Sequence, residues 1–164
     1  PIRVMLGPQA GHFTAEALAA FLHCPYAATP EQDRMGLRLA GQALAHLSPA
    51  AADIVSDGVT PGAIQVPANG QPIILLADCQ TVGGYPKIAT VISADLPRLA
   101  HCPPGSQISF QAVDLATARQ ALADLRLRWT DWARGLQPFL PPGSLDEAAL
   151  FGGNLISGMV RADY

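Results

Sequence analysis

The sequence predicts a mainly β fold, a compact β-barrel with peripheral helices. In several short segments, apolar and polar residues alternate with a period of two, as they do in half-buried strands. The 15 glycines and 15 prolines are scattered without a fixed period, which is typical of tight turns between short elements. Because 49% of the 164 residues are hydrophobic and 14% are charged, the chain can bury one sizeable core.

The chain begins with a strand and a capped helix. The alternation in Ile2–Leu6 predicts a short strand. Thr14 can accept a hydrogen bond from the first amides of a helix, so it predicts a helix over Ala15–His23. Pro25 ends that helix, because it lacks an amide proton and its ring clashes with the preceding turn.

Seven further segments have the pattern of strands and are separated by Gly, Pro, Asn and other polar residues. The strongest turn signal is Ala68-Asn69-Gly70, because Asn and Gly tolerate the positive φ that hairpin turns need. It predicts a hairpin between the strands on either side. The seven segments are Tyr26–Thr29, Gly36–Leu39, Ile54–Ser56, Ala63–Pro67, Pro72–Ala77, Tyr85–Ile92 and Gln107–Val113.

Helices are predicted near the end of the chain. Ser93–Leu99 has a capping residue and an early Pro, which predicts a short helix. Leu115–Gly135 has apolar residues at three- and four-residue spacing, which predicts one face of an amphipathic helix, and Ser144–Phe151 is a weak helical segment. We expect a single domain over residues 1–164, in which residues 114–164 form a helical C-terminal extension. The apolar face consists of Leu115, Ala118, Leu122, Leu125, Trp129 and Trp132.

Charge and cysteine content argue against several classes of function. With a net charge of −3 and no cluster of Lys and Arg, we expect neither nucleic acid nor an anionic membrane as a partner. The absence of a long apolar run and of a basic leader predicts a cytoplasmic location. Cys24, Cys79 and Cys102 form an odd, widely spaced set, so we interpret them as buried thiols and expect no metal site.

Polar residues are dense directly after the apolar segment Ile73–Ala77. Gly83 and Gly84 would let the backbone approach a ligand and expose amide donors, while Asp78 and Lys87 offer opposite charges. This set suits a small carbonyl or carboxylate ligand. In the alternative interpretation, Gly83-Gly84 is merely a turn, and Asp78 and Lys87 pair with each other or with solvent. The polar residues are Asp78, Gln80, Thr81, Gly83, Gly84, Tyr85 and Lys87.

Two arginines add a second open question. Arg34 and Arg38 lie in the block DRMGLRL. A guanidinium group can bind a carboxylate through two parallel hydrogen bonds, so either arginine could hold a substrate. The equally weighted alternative is that both simply lie on the rim of the barrel.

Four ordered blocks resemble consecutive motifs of one family, the biotin-dependent carboxyltransferase type, also called allophanate hydrolase subunit 2-like, KipA-like or the 5-oxoprolinase C subunit. The resemblance extends to about Val113, and GGNLISG near the C-terminus is reminiscent of the same family. Cys79 and Val82 stand where Arg and Thr are usual, and Asp57 where Glu is common. The blocks are DRMGLRL (Asp33–Leu39), IVSDGVTPGAIQVP (Ile54–Pro67), GQPIILLADCQTVGGYPKIATVI (Gly70–Ile92) and ADLPRLAHCPPG (Ala94–Gly105).

The resemblance implies a cyclophilin-like β-barrel that forms the C-terminal part of a longer protein. The implied partners are the homologous, KipI-like B subunit of the complex, together with its A subunit. The implied activities are ATP-dependent opening of 5-oxoproline to glutamate, or transfer of a carboxyl group from carboxybiotin to urea or a similar amide. A non-catalytic, KipA-like regulatory binding module is the further alternative. No cofactor would be bound by this chain, with ATP or biotin on the partner subunits.

For either activity, donors aimed at a carbonyl oxygen would stabilise the negative charge that develops there. Lys87 and the amides of Gly83 and Gly84 could be those donors, and Asp78 could position a substrate N–H group. Asp78 and Lys87 are therefore the candidate catalytic residues. The candidate substrate-binding residues are Gln65, Gln80, Thr81, Gly83, Gly84, Tyr85, Arg34 and Arg38.

Overall fold

The computed structural model of the chain describes residues 1–137, 139 and 152. By its contacts the chain divides into two compact units, Pro1–Leu127 and Arg128–Tyr164. The first unit contains all the strands described below and every candidate site residue. The predicted helical segment Ser144–Phe151 lies outside the described residues, as does the GGNLISG motif apart from its first residue, Gly152.

The described residues form ten strands, three α-helices and two short 3-10 helices. The α-helices are α1 (Ala15–His23), α2 (Leu96–Leu99) and α3 (Leu115–Arg134), and the 3-10 helices are Ala10–His12 and Pro49–Ala52. The strands are β1 (Ile2–Leu6), β2 (Tyr26–Gln32), β3 (Gly36–Ala40), β4 (Asp57–Gly58), β5 (Ala63–Gln65), β6 (Ile73–Leu75), β7 (Val82–Gly83), β8 (Lys87–Val91), β9 (Gln107–Ile108) and β10 (Phe110–Ala112).

Eight of these strands form one sheet in the order β10-β1-β8-β5-β6-β3-β2-β9. Neighbours are antiparallel except β1 and β10, which are parallel. The two edge strands, β9 and β10, follow each other in the chain with only Ser109 between them. Because one continuous segment supplies both edges, the sheet curls into a nearly closed barrel, which confirms the mainly β, barrel-like fold class.

Local signals correctly predicted the first helix and the hairpin turn. The Thr14 side chain accepts a hydrogen bond of 3.1 Å from the Ala17 amide and so caps α1. Gly70 has a φ of 72°, and an added Cβ would lie 2.8 Å from the Leu44 amide nitrogen. Only glycine fits this turn without strain, and the turn joins the antiparallel strands β5 and β6.

The prediction of a strand at Ile54–Ser56 is wrong. Val55 is 93% exposed, and strand pairing begins only at Asp57, where β4 pairs with β7. These two strands form a two-stranded sheet of their own, here called the β4–β7 ribbon (Asp57–Gly58 and Val82–Gly83). Two-residue strands are too short to show a period, so the alternation that predicts strands could not locate them.

Other predicted strands have different limits. Tyr85–Ile92 begins as a strand only at Lys87, directly after Pro86, which cannot donate to a ladder. Gln107–Val113 is divided into β9 and β10, because its first part pairs with β2 and its second part with β1.

The core of the barrel is built around stacked aromatic rings. The ring centroids of Phe21 and Phe110 are 4.5 Å apart, and Tyr26 lies beside both rings. All three are buried together with the inward-facing aliphatic residues of the central strands. Complete burial of each such side chain contributes roughly 1.5–3 kcal/mol.

The amphipathic helix is confirmed as α3, but only part of its apolar face is covered. Ala121 is buried against Ile92 and Ala94, with Ala118 and Leu125 packed at the margin of this cluster. The two tryptophans further along the face, Trp129 and Trp132, are 57% and 69% exposed. Among the described residues, no helix has the length and apolar character needed to cross a membrane.

Candidate functional site

Lys87, the one lysine of the sequence, begins β8 and is 5% exposed. Its ammonium group lies beneath the β4–β7 ribbon. Nζ donates to Asp57 Oδ2 at 2.6 Å and to the Gly58 carbonyl oxygen at 2.9 Å. A buried ammonium is stable only when its charge and hydrogen bonds are compensated, and here the ribbon supplies the compensation.

Gln9 completes this arrangement from the loop after β1. Its Oε1 accepts from the Lys87 amide at 3.2 Å, and its Nε2 donates to Asp57 Oδ2 at 3.4 Å. The pKa of Asp57 is lowered chiefly by the hydrogen bond from Lys87 and then by the bond from the Gly58 amide. The Asp57 carboxylate is therefore ionised, and it accepts hydrogen bonds from Lys87 on β8 and from Gln9 in the loop after β1.

Gln65 lies beside Lys87, because the two are paired residues on β5 and β8. It is 2% exposed, and its Nε2 donates to the Tyr85 carbonyl at 3.4 Å. A Cβ added to Gly83 would lie 2.5 Å from this same nitrogen. Gly83 thus allows the ribbon to approach Gln65 closely, which is a packing role within a strand rather than a turn.

The two candidate catalytic residues belong to separate ion pairs. Asp78 pairs with Arg34 at 2.8 Å between Oδ2 and Nε, and their side chains are 47% and 84% exposed. Lys87 pairs instead with Asp57. An exposed pair such as Arg34–Asp78 contributes only ~0–1 kcal/mol to stability, so either partner can exchange for a ligand at little cost.

A polar groove of about 1040 Å³ collects four of the eight candidate binding residues. Arg38 also lies 3.8 Å from Glu31, measured from Nε to Oε2. The hydroxyl oxygen of Thr29, which also lines the groove, is buried and has no hydrogen-bond partner among the described residues. The four residues are Arg38, Gln65, Gln80 and Tyr85.

A second, more apolar cleft of about 660 Å³ adjoins the groove. Arg34 lies at its wall, while Leu76, Leu96 and Leu99 supply apolar surface. Gln32 and Asp33 line both cavities. The turn between β2 and β3 therefore separates a groove of mixed polarity from a more apolar cleft.

The remaining predicted residues, Thr81 and Gly84, lie directly before and after β7 of the ribbon. Thr81 accepts from the Val59 amide at 3.0 Å, and Gly84 accepts from the Ile54 amide at 2.8 Å, both through their carbonyl oxygens. These bonds tie the two sides of the ribbon together. The chemistry that the arrangement can support is binding of a carbonyl or carboxylate oxygen by Lys87 and the amide side chains around it.

Two residues of this arrangement, Asp57 and Gln9, were not among the sequence-predicted site residues. The burial of Lys87 requires an acidic partner, but nothing in the sequence selects Asp57 from its 13 acidic residues. Gln9 is a partly exposed residue in a turn, and no local pattern marks it. Within the described part of the chain, no group of three or more His, Cys, Asp and Glu residues could hold a metal ion.

Known proteins resemble this chain in sequence and in structure. The 5-oxoprolinase C subunit of Escherichia coli is 42% identical over 123 residues, which cover 75% of this chain and 39% of that protein. The protein of the same name from Haemophilus influenzae is 54% identical over 86 residues, or 52% of this chain and 27% of that protein. This chain thus spans well under half the length of these relatives.

Among solved structures, the urea carboxylase of Kluyveromyces lactis superposes with a TM-score of 0.75 at 22% identity, covering 88% of this chain and 14% of that one. Urea amidolyase of K. lactis gives the same TM-score and identity, covering 88% of this chain and 9% of that one. These structures share the fold. The family model described as "Carboxyltransferase domain, subdomain A and B" matches residues 1–112, more than half of the sequence, and the chain therefore belongs to that family.

Proposed function

We propose that this chain is part of the C subunit of a 5-oxoprolinase-type complex, which opens 5-oxoproline to glutamate with ATP. The observation that carries the proposal is the identity of 42% and 54% to two proteins named as 5-oxoprolinase C subunits. In this role the chain binds the substrate, and ATP is handled by partner subunits. The partners are a B subunit, related to this chain, plus an A subunit.

The geometry around Lys87 supports a role in binding an activated amide. Opening of a lactam ring places negative charge on the carbonyl oxygen, and a fixed ammonium donor stabilises that charge. Lys87 is fixed by its place at the start of β8 and by its hydrogen bond to the Gly58 carbonyl oxygen, so the ammonium group is already in position when a substrate oxygen replaces Asp57. Gln65 lies beside it and also lines the polar groove, through which a small amide could approach.

Asp78 has a separate proposed role. It lies at the exposed end of the segment after β6, where Arg34 is its partner. In the proposed complex the Asp78 carboxylate accepts a hydrogen bond from the substrate N–H group, while Arg34 or Arg38 binds the substrate carboxylate. Where Asp78 or Arg34 takes such a role, the exposed ion pair between them must open.

The test is turnover in the complex reconstituted with the A and B subunits. Lys87→Gln removes the ammonium group but keeps a polar side chain, and we expect 5-oxoproline-dependent ATP hydrolysis to fall by about 100-fold or more, as when an oxyanion donor is lost. Asp78→Asn is expected to lower the same rate. Arg119→Gln, an exposed change on α3, is the matched control and should retain the rate.

Full turnover in both site variants would refute the residue assignment. Assembly of each variant is checked by co-purification with the partner subunits, so that a lost rate is not mistaken for a lost complex. Urea- and biotin-dependent activity, measured in parallel, would instead favour carboxyl transfer. Tight assembly without turnover on any amide would favour the regulatory alternative.

A further inference from the structure

The Asp57 carboxylate occupies a place that is built to hold a carboxylate group. Its Oδ2 receives a hydrogen bond of 2.6 Å from Lys87 Nζ and one of 3.4 Å from Gln9 Nε2. These two donors are here called the carboxylate cradle. All nine other cationic side chains of the sequence are arginines, so the cradle contains the one compact ammonium group of the chain.

Lys87 in the cradle and Asp57, which occupies it, differ in how firmly they are held. Lys87 is 5% exposed and begins a central strand of the barrel, and its backbone is paired with β5. Asp57 has a side chain that is 53% exposed and lies on the β4–β7 ribbon, whose strands are two residues long. A half-exposed side chain can turn to another rotamer in solvent, which a buried side chain cannot do without displacing its neighbours. The acid can therefore leave the cradle far more easily than the lysine can.

A cradle without an acid would be energetically unfavourable. An ammonium group that stays buried after losing its partner bears its desolvation cost without compensation. When the Asp57 side chain turns away, another anionic oxygen must therefore replace it, or Asp57 must return. A small carboxylate reproduces both the charge and the planar shape of the group it replaces.

We propose that the carboxylate cradle is a binding site for a small carboxylate ligand, and that Asp57 occupies it when the ligand is absent. The inference rests on the proposed function in treating Lys87 as the donor to the lactam carbonyl oxygen, and it adds that the same donor holds a carboxylate, the group into which hydrolysis converts that carbonyl. Asp57 then acts as an internal competitor. A ligand must displace it. The apparent affinity is therefore the intrinsic affinity multiplied by the fraction of molecules in which Asp57 has left the cradle.

The experiment uses selective [15N]lysine labelling of the full chain. Because the sequence has one lysine, the Nζ region of the NMR spectrum contains a single ammonium signal. The ligands are acetate, 5-oxoproline and, as a neutral analogue of acetate, acetamide. Asp57→Asn preserves the shape of the side chain but removes the competing charge, and Asp57→Ala removes the group altogether.

In Asp57→Asn we expect saturable shifts of the Lys87 signal with acetate and 5-oxoproline, at an apparent affinity about tenfold higher than in the parent chain. Acetamide should produce no saturable shift. Asp53→Asn, an exposed change four residues earlier in the sequence, is the matched control and should behave like the parent chain. Gln9→Ala in the Asp57→Asn background should weaken acetate binding several-fold, because it removes the second donor.

The inference would be overturned if folded Asp57→Asn and Asp57→Ala both gave no saturable carboxylate shift, or if acetamide shifted the signal as strongly as acetate. Folding of each variant is verified by circular dichroism. No step of this experiment depends on turnover. Carboxylate binding in a chain whose complex fails to hydrolyse ATP would uphold the cradle and refute the proposed function. ATP hydrolysis by the complex without any carboxylate binding at Lys87 would uphold the proposed function and refute the cradle.

Discussion

At the scale of single residues, close packing against Gln65 explains why position 83 is a glycine. An added Cβ would lie 2.5 Å from Gln65 Nε2, and Gln65 has little room to withdraw because it is 2% exposed. We expect Gly83→Ala to lower the free energy of unfolding by about 1–3 kcal/mol, as overpacking of a filled site does. Urea denaturation followed by circular dichroism measures the loss.

The matched control for Gly83 is its neighbour. A Cβ added at Gly84 would lie 3.6 Å from the Ile54 carbonyl oxygen, an ordinary contact, so Gly84→Ala should change stability much less. Combining Gly83→Ala with Gln65→Ala should recover part of the loss, because the shorter side chain vacates the contested space. Equal effects at Gly83 and Gly84 would contradict this account.

Asp95 makes the stability of the barrel dependent on pH. Burial alone would raise its pKa, but the side-chain and backbone hydrogen bonds from Arg3 outweigh burial, and the pKa is lowered. The distances are 2.6 Å to the Arg3 guanidinium and 2.8 Å to its amide. A lowered pKa in the folded state stabilises the protein above the unfolded pKa of about 3.9. This stabilisation is lost as the pH falls through the folded pKa.

We therefore expect Asp95→Asn to be less stable than the parent chain by about 2 kcal/mol at neutral pH, because it leaves the Arg3 pair incomplete. The difference should shrink as the pH falls from about 4, where the carboxyl of the unfolded chain becomes protonated, through the lower pKa of the folded state. Urea titrations at a series of pH values measure both effects, with exposed Asp53→Asn as the control. A difference that stays constant down to pH ~2 would contradict the assignment.

Single residues also show how far a site can be predicted from sequence. Lys87 and Asp78 were identified as charged residues beside a strand, and the structure places each in an ion pair. Their partners, Asp57 and Arg34, lie 30 and 44 positions away, and no local pattern encodes contacts at that distance. Their catalytic roles remain predictions. Arg38 lines the polar groove, whereas Arg34 lies at the apolar cleft.

At the scale of elements, the sequence correctly predicts the features that depend on neighbouring residues, such as helix caps and tight turns. Thr14 marks the start of α1, and Asn69-Gly70 marks a turn, because caps and turns depend on neighbouring residues alone. The division of Gln107–Val113 depends on something else. Its two parts serve opposite edges of the sheet, so the break at Ser109 is a consequence of barrel closure. The β4–β7 ribbon was not predicted because its pairing joins segments that are distant in the sequence.

The C-terminal half of α3 illustrates a limit of amphipathic patterns. The period of three and four correctly predicted a helix, but it says only that one face is apolar, not what covers it. Ala121 and Leu125 pack against the barrel, whereas Trp129 and Trp132 are largely exposed. The fluorescence of both tryptophans of the sequence therefore depends on the surroundings of the α3 surface rather than on the core.

At the scale of the whole molecule, stability is concentrated in the unit Pro1–Leu127. All three described core clusters draw their members from residues 2–125. The barrel is closed by β9 and β10, and the packed part of α3 also falls within this range. We infer that this unit folds as one cooperative body, because its strands are hydrogen-bonded in a continuous sheet.

A chain ending at Leu127 tests this inference. The described core lies within the retained residues. We therefore expect the free energy of unfolding of the shortened chain, measured by urea denaturation, to match that of the full chain to within about 0.5 kcal/mol. The comparison must use circular dichroism, because the truncation removes both tryptophans. As the contrasting change, Ala121→Asp in the full chain buries a charge beside Ile92 and Ala94 and should cost about 2–3 kcal/mol. If truncation cost as much as Ala121→Asp, residues after 127 would be required for the barrel, and the account of a self-sufficient unit would be wrong.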